Sequence, residues 1–575
     1  MNGNEIVNNN TWEIQAGNFG NPVTQGNLAA QDNPISPAGQ GGPINPPVGD
    51  RETEHTRRMK QNFRFFGPVT FLYAAFYAFC MFHNGSGVTF PFFMAGSLLY
   101  LCCSLSKLEI SLKKGSVFYM IGMMLLAVST FCTDDGRIIA FNKMGIFLLM
   151  MSLLLKQFFD TANWKLGKYL LAICELVFVS LGEIYRPFSD AVAYRKAQGR
   201  KSGKAGYVAL GLLIAMPLLL IVLALLGSAD VVFRNLTDIF WQNINLGNLC
   251  NIGFRIVFLF FAAYMLTAYL CKHRINEKVG DYRIGEPVLA ITVNSLLTVI
   301  YLVFSCIQIV YLFWGKMQLP EGYTYAAYAR EGFFQLLAVS ILNLVIVLVS
   351  VSFFKENGVL KAILTVMSLC TFIMIASSAM RMILYIWFYD LTFLRILVLW
   401  GLALLFVLFV GVIISIYSSR FPLFRYSMAV VTVLYLALSF SHPDYIIAAV
   451  NLSNAEEDKD WSYLSGLSAD AAPVLIPYLE ELGYDLESFY IRGERAERWD
   501  IIDEQWEDLE GETQDRCIAA RLDQRTVKRS TQDGFGYYYL RNLQLSTDNF
   551  GIRTYNISRH MALRQIDRAC HKEDR

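Results

Sequence analysis

Recurring runs of about 17–25 apolar residues, the length a helix needs to cross hydrocarbon, constrain this sequence more than anything else in it. The stretch GLALLFVLFVGVIISIY at 401–417 carries no charge and no proline, and similar stretches recur along the chain. Soluble domains carry about a quarter charged residues; here 17% are charged, 54% are hydrophobic, and the mean hydropathy is +0.38. The implied fold class is all-α: a polytopic transmembrane helical bundle with a small, mostly helical soluble C-terminal domain.

Eleven spans are expected, near 66–82, 88–105, 115–132, 138–155, 206–228, 251–271, 287–313, 333–354, 362–388, 396–416 and 424–441. Together they make residues 66–441 the transmembrane region. Segment 169–184 is apolar too, but it holds Glu175 near its middle, and a central acidic residue costs about 2.5–3.5 kcal/mol to insert. Crossing there would also carry Arg186, Arg195, Lys196, Arg200, Lys201 and Lys204 to the outside. It is therefore read as re-entrant or interfacial.

With that choice the basic loops agree with the positive-inside rule. Arg57, Arg58 and Lys60, then Lys113 and Lys114, Lys156, Lys272, Lys355 and Lys361, and Arg420 with Arg425 all fall on the cytoplasmic side. The N-terminus is then inside and the C-terminus outside the plasma membrane. Twelve spans with the tail inside is the alternative.

Residues 1–50 are rich in Asn, Gly and Pro and are expected to be a disordered tail. No cleavable signal peptide is visible there. Residues 442–575 hold 26 acidic and 16 basic side chains, a net of −10, and read as an acidic helical domain, extracytoplasmic in the eleven-span topology. Within it Ser468 is an expected helix N-cap, Gly483 an expected C-terminal glycine, and Asn556 or Ser558 a cap for the last helix.

The polar residues near the ends of the spans carry what functional signal there is. Ser377, Arg381, Tyr385 and Tyr389 recur every four residues and share one helix face. Ionisable residues inside a membrane face protein or a water-filled cavity, and Arg381 is close enough to its span's outer end for its stem to snorkel. The topology gathers Arg330, Glu331, Arg381, Tyr385, Asp390 and Arg395 into a candidate outer-face polar cluster, with His442 and Asp444 at the same depth. The bland reading of this layer is a set of ion pairs that fix helix order. The functional reading is an outward-facing site for a headgroup or peptide, or a docking surface for the acidic tail.

GYTYAAYAREGFFQL at 322–336, RMILYIWFYDLTFLR at 381–395 and YLSGLSADAAPVL at 463–475 resemble the motifs of a bacterial membrane-protein family known only as a domain of unknown function. The family pattern is similar to Y-x-x-Y-A-R-x-G-F-F followed by R-M-x-L-Y-I-x-x-Y-G-L-T-x-L-R. Tyr325, Tyr328, Ala329, Arg330, Gly332 and Phe333 match the first part; Arg381, Tyr385, Tyr389, Leu391, Thr392 and Arg395 match the second. Asp390 departs from it, standing where the family usually has glycine. The resemblance implies membership and brings no activity, substrate or catalytic residue.

Several activities lack their residues. Six histidines, none in mid-span, and no H-E-x-x-H give no haem or zinc-protease ligand set. Eleven cysteines include no C-x-x-C. GRKSGKA at 199–205 is one residue short of a phosphate loop and reads as a basic loop at an anionic leaflet. TDDGR at 133–137 reads as a turn, and SHPD at 441–444 as a chance match to a chaperone tripeptide. No catalytic residue, cofactor or metal is implied, nor is nucleic-acid binding, which needs basic clusters on a soluble domain. The expected partners are the lipid bilayer and an envelope or signalling protein. The expected role is a non-catalytic sensor or scaffold, with a transporter or lipid-handling protein second and a membrane enzyme third.

Overall fold

A computed structural model of the chain describes residues 52–161, 164, 166–198, 246–272, 285–310, 333–418, 420–454, 459–484, 486, 532–547 and 551–570, with isolated positions between 211 and 226. Among the described residues there is no strand, and the β-bridge is between Gly285 and Phe354. The expected tail 1–50, most of the expected span 206–228 and residues 487–531 lie outside the described residues.

The protein is a multi-pass helical membrane protein. Among the described residues, eight helices are long and apolar enough to cross a bilayer: α2 (Phe63–Met81), α3 (Thr89–Lys107), α5 (Gly136–Phe158), α8 (Leu246–Lys272), α9 (Pro287–Ile309), α10 (Phe333–Phe353), α11 (Gly358–Tyr389) and α12 (Phe393–Tyr417). Helix α4 (Ser116–Cys132) is apolar with 17 residues. Helix α13 (Leu423–Ser439) is followed by α14 (Pro443–Ser453), bent from it by 55°. Pro443 causes the break: it opens the new helix, and His442 before it takes a left-handed φ of 48°. Leu296, Val299, Ile300 and Val303 along α9, with Trp387 at the end of α11, are exposed, which suits lipid and not water.

Local signals set the helix ends. Asn357 caps α11, its side-chain oxygen accepting from the Val359 N–H at 2.8 Å, and Asp135 caps α5 in the same way through the Arg137 N–H at 2.9 Å. Between helices, close packing replaces the hydrophobic effect as the source of attachment. At Gly411 the ring of Tyr426 lies where a Cβ would stand, and the Tyr426 hydroxyl donates to the Val407 carbonyl at 2.7 Å.

One end of the bundle is built around the short helix α1 (Glu54–Gln61). Thr56 donates to the Cys271 carbonyl at 3.1 Å, close to the end of α8, and Arg58 pairs with Glu54 at 2.6 Å. Segment 166–197 returns to this end. Helix α6 (Leu166–Phe178) starts where Tyr169 stacks on Phe424, gives way to a 3-10 turn at Val179–Glu183, and continues as α7 (Arg186–Ala197). Glu183 at its far side pairs with Lys272 and with Arg186 at 2.7 Å, and Tyr264 donates to Asp190 at 2.9 Å.

The other end carries the described C-terminal helices α15 (Trp461–Leu464), α16 (Ala472–Glu481), α17 (Gln532–Thr547) and α18 (Ile557–Cys570). Their apolar core is continuous with the bundle: Leu475, Leu479, Phe535, Tyr539 and Ala562 pack into one cluster with Ile447, Leu391, Phe393 and Ile138. Gly483 stands just past α16 with φ 78°, as a helix C-terminal glycine should. Asn556 caps α18, accepting from the Ser558 and Arg559 N–H groups at 3.0 and 3.3 Å. Ser468 precedes a short 3-10 turn, Ala469–Ala471, instead of the helix itself, and its N–H donates to Asp444 at 2.9 Å.

Candidate functional site

The α4–α5 turn, Thr133 to Arg137, sits beneath the C-terminal helices at the centre of a buried charge network. Asp135 holds the Arg137 guanidinium through two bonds of 2.9 Å, and Arg137 reaches on to Asp444 at the start of α14. The same guanidinium lies 4.1 Å over the Phe393 ring. Asp444 then accepts from the Ser468 N–H.

A second set of bonds crosses from the turn to the tail. Asp470 accepts from the Thr133 hydroxyl, from the Asp134 N–H at 2.9 Å, and faces His442 Nδ1 at 3.2 Å. Arg559 on α18 donates to Asp134 at 2.6 Å. Asn556 donates to the carbonyls of Ser86 and Thr133 at 3.1 and 2.9 Å, and the Val88 N–H donates to the Tyr555 carbonyl at 2.8 Å. Below the turn, Asn142 accepts from Tyr435 and Ser439 at 2.8 and 2.7 Å, tying α5 to α13. Charged groups are buried only where partners and hydrogen bonds offset the lost hydration. Each of these carboxylates is engaged by donors of the protein itself, an arrangement suited to holding parts together.

Burial and pairing shift the titrations. The hydrogen bond to Asp470 pushes the His442 imidazole above its ordinary value. Burial works to raise the Asp470 carboxyl, but hydrogen bonds from His442, Thr133 and the Asp134 N–H outweigh it and hold Asp470 below the usual range. At Asp134 burial prevails over Arg559, and its carboxyl is raised.

The expected polar cluster is arranged around the end of α11. Arg395 donates to the carbonyls of Tyr389 and Asp390, covering the helix C-terminus with positive charge. Its guanidinium lies 4.4 Å over the Tyr385 ring, and the Tyr385 and Tyr389 rings are 4.9 Å apart. Asp390 takes φ 64° and ψ 172°, a conformation at home in glycine, and Asn454 donates to its carboxylate at 3.0 Å. Asn451 clasps the next residue with two bonds, accepting from the Leu391 N–H at 2.8 Å and donating to its carbonyl at 3.0 Å. Tyr385, Asp390 and Arg395 are thus brought together. Arg381 lies one turn deeper, buried, lining a cavity between α9, α10 and α11. Arg330 and Glu331 lie outside the described residues.

Sequence reasoning placed His442 and Asp444 at this depth, read Asp134 and Asp135 as turn residues, and gave Asp470 no role beyond its place in the YLSGLSADAAPVL motif. Three charges in the five residues of TDDGR, wedged between two apolar runs, were the available signal. Asp135 and Arg137 find each other within the turn, but the partners of Asp134 and the second partner of Arg137 lie more than 300 residues away, and nothing local names them.

The sequence profile of a domain of unknown function, DUF4153, matches residues 120–478. The chain belongs to the DUF4153 family. The match begins inside α4 and ends inside α16, so it takes in the α4–α5 turn, Arg381 to Arg395, and Asp470. Helices α17 and α18, with Asn556 and Arg559, lie beyond it. No curated protein and no solved structure matches the chain. Among the described residues of this DUF4153 protein, no group of three or more His, Cys, Asp or Glu side chains is gathered to hold a metal ion.

Proposed function

We propose that this DUF4153 protein is a non-catalytic sensor or scaffold of the plasma membrane, with its N-terminus in the cytoplasm and its acidic C-terminal domain, 442–575, outside. The observation that carries this reading is the set of buried bonds from Asp470, Arg559 and Asn556 to the turns at Thr133–Asp134 and Ser86. They couple a tail that can meet an envelope or signalling partner to the helices that cross the bilayer. The orientation is supported by charge. Lys113, Lys156, Lys272, Lys355, Lys361 and Arg425 lie toward the end opposite the tail, which is where basic residues collect on the cytoplasmic side.

Two experiments test it. In a background with Cys517 and Cys570 replaced by Ser, Ile552→Cys in the tail should label with a membrane-impermeant thiol reagent in intact cells. Leu112→Cys, between α3 and α4, should label only after permeabilisation; the reverse pattern overturns the orientation. Releasing the tail with Asp470→Ala should then reproduce the phenotype of cells lacking the protein, at normal membrane abundance. Wild-type behaviour with a released tail would refute a sensing or scaffolding role. Lipid handling is the second reading, favoured by the cavity at Arg381.

A further inference from the structure

Three cations from distant parts of the chain meet at the end of the bundle opposite the tail. Lys113 lies in the loop between α3 and α4, Lys156 in the last turn of α5, and Arg425 in the first turn of α13. Lys113 and Arg425 both stand close enough to Lys156 to repel it. The loop closes on Lys156 at Gly115, whose φ of 79° suits glycine, and a Cβ there would lie 2.9 Å from the Lys156 Nζ. Gln157 holds the loop in place, accepting from the Lys113 N–H at 3.2 Å and donating to the Ser116 hydroxyl. The Lys113 ammonium donates to the Phe159 carbonyl at 2.8 Å. One acid, Asp160, lies near Lys113. Among the described residues, no carboxylate pairs with Lys156 or Arg425.

The depth of the cluster follows from α5. Its run from Arg137, in the tail-side turn, to Lys156 is about 28 Å of helix, close to the thickness of the hydrocarbon layer. Lys156 therefore stands at the headgroup boundary of the leaflet away from the tail. Aromatic rings flank the cations: the Lys156 Nζ is 5.1 Å from the centre of the Tyr119 ring, and Trp164, Tyr169 and Phe424 stack beside Arg425. The Trp164 indole is buried, and its N–H meets no acceptor among the described residues. Like charges held together cost free energy unless an anion lies among them. Phosphate oxygens accept from ammonium, guanidinium and indole donors alike, and basic pockets between helices at a membrane surface suit anionic headgroups. The rings lie where the glycerol and upper chain of such a lipid would pass.

We propose that the cluster of Lys113, Lys156 and Arg425 binds the phosphate of an anionic lipid. This assignment depends on neither the sensing role nor the orientation of the chain in the membrane. The test uses the full chain purified in detergent, with thermal unfolding followed on adding phosphatidylglycerol, phosphatidylcholine or inorganic phosphate. Phosphatidylglycerol should raise the midpoint at concentrations about fivefold lower than phosphatidylcholine, and phosphate alone should do nothing. Lys156→Gln and Arg425→Gln should each cut that preference below about twofold. Arg425 is exposed, so its variant decides the matter if Lys156→Gln does not fold. Lys361→Gln, which removes a cation paired with Glu356 outside the cluster, should keep the preference. Equal stabilisation by inorganic phosphate overturns the lipid assignment in favour of a free anion. No preference in the wild type, or one that survives in Arg425→Gln, overturns the site. A preference lost equally in Lys361→Gln overturns it in favour of diffuse surface charge.

Discussion

Replacing Asp470 by alanine is expected to loosen the whole C-terminal assembly from the bundle. Asp470 is 5% exposed and is engaged by Thr133, the Asp134 N–H and His442 at once. A hydrogen bond to a charged group contributes about 1.5–3 kcal/mol, and removing one member of a buried pair costs about 3–5 kcal/mol. Alanine takes away all three bonds, but the contributions are not additive. His442 can then lose its proton, and Thr133 keeps its bond to the Asp135 N–H. A net loss of about 3 kcal/mol is the reasonable value, which multiplies the undocked fraction by about 150. Hydrogen exchange of the protein in lipid nanodiscs reads this directly. Residues 551–570 and the α2–α3 turn should exchange about a hundredfold faster, since the Val88 N–H is bonded to the Tyr555 carbonyl. Helix α11 should not change. Asp470→Asn, which keeps the shape and one acceptor, should fall between. Less than threefold acceleration in the alanine variant would mean that the charge network does not hold the tail.

Docking should also depend on pH, with opposite limbs. His442 titrates above its ordinary value in the folded protein, so its contribution is complete below about pH 6.5 and is lost as pH rises through the folded value. Asp470 is depressed, so its contribution is present above about pH 4 and is lost as pH falls through its folded value. The raised Asp134 works against Asp470 on the acid side. Tail exchange should therefore be slowest between about pH 4 and 6.5, and a His442→Gln variant should lose the neutral limb alone. Persistence of that limb in the variant would show that another group carries it. At Asp390, glycine should be tolerated: relief of about 1–3 kcal/mol of backbone strain is set against about 1 kcal/mol for the lost Asn454 bond and about 0.5–1 kcal/mol of chain entropy. Thermal unfolding of Asp390→Gly should shift little while Asp390→Val is clearly destabilised; a large loss in the glycine variant would give the carboxylate a role of its own.

What the sequence determined by itself was the helical, membrane-spanning class and the positions of most helices, because a bilayer forces long apolar runs and satisfies backbone groups only within helices. Caps such as Asn556 and Gly483 were legible for a similar reason: their signal is local, within a turn or two of the residue concerned. The glycine-like backbone at Asp390 agrees with the expectation from the resemblance, whose pattern carries glycine at that position. Tertiary structure alone decided which polar residues meet. Thr133 and Asp470 are 337 residues apart, and Asp134 and Arg559 are 425 apart. Segment 166–197 returns to the α1 end through Glu183 and Lys272, a pairing no periodicity encodes. The charge network, the shared core of tail and bundle, and the cavity at Arg381 all arise from contacts between distant elements. Hydropathy fixes how deep a residue sits in the membrane. It leaves open which neighbour that residue will find at that depth, and only the packed chain supplies it.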